Sequence, residues 1–446
     1  MTSLWWVLSS LAAIGCRGTI YPEDSGMDST PGDSDDGGLV NGDDAFAADG
    51  DPAQFSDPPS GDDGFGVQDD GGGATDLGPC PATLADRLSI VSISVAPDTV
   101  NTAAGGYFSY YTPPILSPRP GGSWLAWQAA AGRVHVTPLD GSDHRAGPDV
   151  TTEANELRGL SAHAGGFAVM VQRGQDQMAL VGYDAAGGLR FDTIIIGNNN
   201  HDQQGDKWVR REWGDHGRLV FFENRYAVYF GHTMNWGAQG EHQGDLLWYF
   251  DLSGNRSGGD WDWGCSHSLD VRLAYNGTRL GPVCLSDCYP TKAIWFDHRS
   301  AEIHPEPSGN CAGLSSGELG GLVATAEGFW LSFTSPEGRS SRDVGLVSIS
   351  NASQVGPVRW LTGSAAADES SAKLARYGDN LLVAWQESGT VRMAVVDRDG
   401  NFVLGPESVA ASFNQQTDFV NHPSGDVGWA HGEGSTLQVF RLRLCP

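Results

Sequence analysis

Basic residues are scarce in this chain. Lys and Arg number 27 against 55 Asp and Glu over 446 residues, and they form no cluster. Nucleic acids are held through grouped Lys and Arg, so no nucleic-acid partner is expected. Helical periodicity is also lacking, because 61 Gly and 23 Pro interrupt the chain too often for a bundle. There is no Gly-Lys-Ser/Thr phosphate loop, no HxxxH or HExxH spacing and no Ser-x-Asp-x-Gly-x-Thr-Trp box. These absences count against a P-loop nucleotidase, a helical zinc protease and a sialidase-type glycosidase. Two acidic runs, DSDDGG and NGDDAFAADGD, lack the twelfth-position Glu and flanking helices of an EF-hand.

What is present falls into three parts. Residues 1–16, MTSLWWVLSSLAAIGC, form an apolar run ending in small residues before Cys16. The run is too short to span a bilayer as a helix and reads as an export signal. Ala13-Ile14-Gly15-Cys16 resembles a bacterial lipobox, with Cys16 as the lipidated residue, although the segment before it lacks Lys and Arg and its Leu sits early, at Leu11. An ordinary signal peptide cleaved near Cys16 is the alternative. Residues 17–79 hold 16 acidic residues and one basic residue among Asp, Gly, Pro and Ser. Such a composition buries too little apolar surface to offset ordering entropy, so a self-repelling disordered spacer is expected. Residues 80–446 are the expected globular domain. A lipid-anchored protein on the outer membrane or cell surface, monomeric and with the membrane as a partner, follows from this layout; the periplasm is the alternative.

Cysteine usage agrees with export. Apart from Cys16 there are six: Cys80, Cys265, Cys284, Cys288, Cys311 and Cys445. An even number in an exported chain reads as disulfides. Cys80 opens the domain and Cys445 is its penultimate residue, so a bond between them would clasp a ring closed by the chain ends. For the other four, Cys265–Cys288 with Cys284–Cys311 is the expected pairing. A mixed zinc site of Cys265, His267, Cys284 and Cys288 is the alternative.

The domain repeats itself seven times between Gly121 and Pro446. Each copy opens on a small or polar turn and a buried-looking strand, as in GGSWLAW, GGFAVMV, NRYAVYF, EGFWLSF and DNLLVAW. A second strand follows, often closing on an Asp/Gly turn, as in MALVGYDAAG, DLLWYFDLSG and VRMAVVDRDG. The period of roughly 45–60 residues matches a four-stranded propeller blade. The sixth copy reads as four successive strands, A to D. The seventh stops at its third, and Arg87–Val95 supplies the fourth. The expected fold is therefore an all-β, seven-bladed propeller closed by its N-terminal strand, with six or eight blades as alternatives.

In a four-stranded meander the B–C loops and D-to-A connections share one face. Four long segments fall there in copies 3 and 4: Asn198–His216, His232–Gly244, Asn255–His267 and Cys284–Thr291. They pool His201, His216, His232, His242 and His267 with many Asp and Trp residues. The candidate ligand-binding set is His232, Trp236, His242, Trp261, Trp263, His267, Asp287 and Tyr289. Aromatic platforms rimmed by carboxylates and amides suit a carbohydrate or peptide ligand. The competing reading is a metal-dependent or acid–base enzyme, a hydrolase or lyase, with His232, His242 and His267 as ligands of a divalent metal. A third has His and Asp capping loops that Trp residues anchor.

The copies LLVAWQESGTVRMAVVDRDGNFVLGPESV and WLAWQAAAGRVHVTPLDGSDHRAGPDV resemble blades of exported propeller lipoproteins of the myxobacterial type. The Asp/Gly-rich spacer after a lipobox-like Cys fits the same group. The resemblance implies fold and location, and it assigns no catalytic residue.

Overall fold

The copies end their central hairpins with the same local chemistry. Asp140, Asp184, Asp251 and Asp397 each turn one carboxylate oxygen inward to accept the backbone N–H groups two and four residues on, at 2.8–2.9 Å. In copy 5 the hydroxyl of Ser350 does the same for Ala352 and Gln354, at 3.3 and 3.1 Å. A short side chain that satisfies its own turn fixes the length of the hairpin and hence the register of the strands around it.

In this computed structural model the described residues are 80–445, apart from 103–111, 199, 211–215, 288–290, 307–316, 337–338 and 366. The strands assemble into seven antiparallel sheets. Blades 1, 2, 4, 5 and 6 are four-stranded meanders in chain order. In blade 7, Leu88–Ser94 pairs residue for residue with Thr436–Leu442 and supplies the outermost strand. This is the expected closure. A disulfide joins Cys80 to Cys445 beside it, also as expected. Among the described residues a single α-helical turn, Leu84–Arg87, leads into that strand.

Seven buried apolar clusters lie among the described residues, one at each junction between consecutive blades. Trp124 and Ala126 of blade 1 pack on Leu157, Phe167 and Val169 of blade 2. The seventh cluster sets Ile93, Leu437 and Val439 of blade 7 against Leu116, Leu125 and Trp127 of blade 1, which makes the array a closed ring. Arg441 adds a bidentate pair across the same junction, at 2.7 and 2.6 Å from the Asp143 carboxylate. Most of the aromatic content serves this packing: Trp127, Trp385 and Trp429 are fully buried. Sheets with two apolar faces are stable only when each face meets a neighbour, and closure removes the last unpaired face.

Blade 3 departs from the pattern. Its strands B and C, Arg225–Asn235 and Glu241–Asp251, run eleven residues each and pair along their whole length. A short strand, Lys207–Trp208, adds itself to the far end of strand B. The segment expected to be a long loop at His232–Gly244 is therefore a projecting hairpin with a tight turn at Gly237–Gln239. His232 opposes Gly244 and His242 opposes Met234. Cys284 likewise lies within strand B of blade 4, Leu280–Ser286.

Candidate functional site

The projecting hairpin of blade 3 brings part of the expected set together. Trp263, in the connection from blade 3 to blade 4, lies against Gly244. A methyl group added at that glycine would meet the indole at 2.8 Å, so only Gly seats this ring. Trp236, at the hairpin tip, meets Trp263 edge to face with ring centroids 5.2 Å apart, and both rings are half-buried. His242 stands edge-on to Trp236, at 6.5 Å, and its Nε2 is 3.1 Å from the Gln239 carbonyl. Beside the pair in sequence, Glu241 and Asp262 are exposed. Arg210 pairs with Glu241, and Lys207 with Asp262 at 3.1 Å.

On the blade 4 side, His267 Nδ1 is 3.2 Å from Asp287 Oδ1. The backbone N–H of His267 donates to the Gln243 carbonyl at 2.8 Å, which ties this residue to blade 3. His267 has φ 48°, in the left-handed region that costs a β-carbon residue energy, and such strain concentrates at functional sites. Cys265, two residues before it, bonds to Cys284. This replaces the expected pairing of Cys265 with Cys288 and of Cys284 with Cys311: strand B carries Cys284 inward beneath the connection, within reach of Cys265. Cys288, Cys311 and Tyr289 lie outside the described residues.

Two members of the set are scaffold. His232 is buried, its Nε2 2.8 Å from the Asp262 carbonyl and its ring 5.8 Å from Trp263. Burial, reinforced by Lys207, pushes its pKa down to about 3, so it stays neutral and props the platform. Trp261 is buried, donates to Asp245 Oδ1 at 3.0 Å and stacks on His298. The expected metal triad is not assembled. Among the described residues, the only three His, Cys, Asp or Glu side chains whose ligand atoms all lie within 4.8 Å of one another are Asp245, Cys265 and Cys284. The two sulfurs of that group are bonded to each other, which takes them out of use as thiolates. His232, His242 and His267 sit on a strand interior, a strand end and a connection, and their nitrogens do not converge. His201 is likewise engaged, stacked on buried Trp208 at 4.2 Å with Nε2 3.0 Å from Asp176.

A second constellation was missed in the sequence. Arg158, Arg218, Arg272 and Lys373 occupy the innermost strands of blades 2, 3, 4 and 6, and all four are buried. The connection before blade 7 dips to meet them: the Gln415 carbonyl accepts from Arg272 and Lys373, at 3.1 and 2.7 Å, and Gln416 accepts from Arg218. The signal was available as one basic residue at the same strand-A position in four copies, LRGL, GRLV, VRLA and AKLA. A cavity of 290 Å³ adjoins this layer, walled by the first strands of all seven blades.

Fold and site together define a seven-bladed β-propeller, a scaffold for binding or interaction. No family model and no curated protein matches the chain. Among solved structures it is similar to an N10-subtype neuraminidase-like protein from an isolate of the little yellow-shouldered bat, at 9% identity over 69% of this chain and 98% of that one, with TM-score 0.39. It is also similar to a puromycin-hydrolysing peptidase of Mycobacterium tuberculosis, at 13% identity over 79% of this chain, with TM-score 0.45. A third likeness is to a prolyl endopeptidase, at 10% identity over 73% of this chain, with TM-score 0.42. The chain spans 56% and 46% of the length of those two peptidases. No activity is transferred from these likenesses.

Proposed function

We propose that this protein is a tethered binding propeller whose recognition face stands over blades 3 and 4. The observation that carries the reading is the half-buried pair of Trp236 and Trp263, held at 5.2 Å on a hairpin that projects beyond the blade. Exposed Glu241 and Asp262 adjoin the two Trp residues in sequence, and the His267–Asp287 pair is tied to the same hairpin through Gln243. Aromatic faces stack on the apolar faces of sugars while carboxylates and imidazoles take hydroxyl hydrogen bonds, so the ligand is a carbohydrate, with peptide as the other class such a face accommodates. Screening the protein on glycan and peptide arrays identifies the class. Trp236→Ala and Trp263→Ala are then each expected to weaken the captured ligand roughly ten- to hundredfold, the usual cost of truncating a central aromatic. Undiminished binding by both variants, with melting unchanged, would refute the reading.

An acid–base enzyme on the same face is the second reading, favoured by the His267–Asp287 pair alone. Turnover of an array-identified ligand that disappears in His267→Ala would establish it. We further propose that Cys16 carries a lipid and that residues 17–79 are the spacer holding the propeller away from an outer membrane or cell surface.

A further inference from the structure

The cavity on the ring axis has one charged end, and the groups that form it decide what it can bind. Arg218, Arg272 and Asp418 are the charged residues of its lining. The Arg272 guanidinium donates to Asp270 and to the carbonyls of Gly320, Val271, Leu319 and Gln415, at 2.6–3.2 Å, which engages all of its N–H groups. Arg218 is spent in the same way. Its terminal nitrogens donate to the Gly217 carbonyl, to Gln416 and to Asp418, and its Nε stands 2.7 Å from Asp418 Oδ2. Both guanidiniums have thus used their donors on the protein itself. Asp418 differs, because each oxygen of an ionised carboxylate accepts about two hydrogen bonds. Arg218 meets one lone pair on each, and the Asp418 side chain is 34% exposed. The charged end therefore offers an incoming molecule an acceptor.

Charge sets the second condition. Asp418 answers Arg218, and Asp270 answers Arg272 at 2.6 Å. A charged group placed against these pairs would add a charge to a partly enclosed site, a cost that a neutral group avoids. Leu116, Leu160, Leu219, Leu273, Leu322 and Leu374, on the first strands of six blades, also line the cavity and suit an alkyl body. At 290 Å³ it stands at the lower end of small-ligand pockets, about 300 Å³. We propose that this cavity binds a small neutral alcohol, whose hydroxyl donates to Asp418 and whose alkyl body lies among the leucines. The site is independent of the face over blades 3 and 4.

Isothermal titration of the purified full chain with hexanol, methyl pentyl ether, hexanoate and hexylammonium tests this. The ether matches the alcohol in heavy atoms and lacks its donor. Hexanol should bind at one site per chain, and the ether about tenfold more weakly or worse, because a hydrogen bond to a charged acceptor is lost. Hexanoate and hexylammonium should each fall about tenfold or more below the alcohol as well. Asp418→Leu should bring alcohol and ether to within about threefold of each other. Leu322→Trp, which fills the cavity, should abolish binding of both, and it decides the matter if Asp418→Leu fails to fold by circular dichroism. Equal binding of alcohol and ether, a preference retained in folded Asp418→Leu, either charged probe binding as tightly as the alcohol, undiminished binding by Leu322→Trp, or no heat from hexanol at millimolar concentration would each overturn the proposal.

Discussion

Replacing both Cys80 and Cys445 by Ser opens the only covalent link across the ring closure among the described residues, and the size of the effect can be worked out beforehand. The bond closes a loop of 365 residues, the whole domain. In the chain-entropy model, constraining a loop of that length removes about 6 kcal/mol of denatured-state entropy, while measured effects of disulfides are typically 2–4 kcal/mol. The native state should barely respond, because other contacts hold the closure. Leu88–Ser94 keeps its full pairing with the last strand. Arg87 reaches Tyr377 at 3.0 Å, the Tyr377 hydroxyl donates to the Arg443 carbonyl, and Arg441 remains on Asp143. The loss is therefore expected to be about 3–5 kcal/mol and to act through the unfolded chain. With an unfolding entropy of about 2.1 cal/mol/K per residue over roughly 370 residues, Tm should fall by about 4–6 °C. The denaturant m-value should rise as the unfolded chain expands. Scanning calorimetry and urea titration of the double variant measure both. A Tm within 1 °C of the parent with an unchanged m-value would refute the reasoning and leave closure to strand pairing alone.

Asp245 is fully buried, and burial pushes its carboxyl up to about 7 against the hydrogen bonds from Trp261, Ser268 and Tyr229. The folded state therefore holds a proton that the unfolded state has released between about pH 4 and 7, and this group lowers stability as pH rises through that window. His216 and His232, held down to about 4 and about 3 chiefly by burial, act the other way as pH falls below about 6.5. Asp245→Asn should steepen the rise of stability with pH between about 4 and 7 by up to about 1.4 kcal/mol per pH unit, read from urea midpoints across that range; parallel curves for the two proteins would sink the assignment. Cys16→Ala should move the protein from the membrane fraction to the soluble fraction of cells and remove an acyl mass from its N-terminal peptide, whereas an unchanged distribution would argue for a cleaved signal without lipid.

How much was legible follows from the range of the interactions involved. Strand alternation, the Asp turns and the copy spacing are local, so residues such as Asp184 and Asp397 announce their hairpins from four neighbouring positions. The ring closure was legible too, because a copy short of one strand and a spare strand at the other end leave one way to complete a blade. The candidate face was read in part. Trp236, Trp263, His267 and Asp287 come from segments that share a face by meander parity alone. Yet that parity does not reveal whether a side chain points out or in. His232 points in because the hairpin continues four residues on each strand into the expected His232–Gly244 loop, and Trp261 points in because it ends a fourth strand, Arg256–Trp261, that had read as connection.

The sequence by itself pointed to a propeller of about seven blades, to the strand that closes it and to the Cys80–Cys445 clasp, since each depends on spacing along the chain; the ring of seven sheets fixed the number. Tertiary structure alone decided that Cys265 meets Cys284, that three histidines do not converge, and that four strands bring a basic side chain to one axis. Those depend on distances between residues far apart in sequence, which the repeat sets only once the ring has closed.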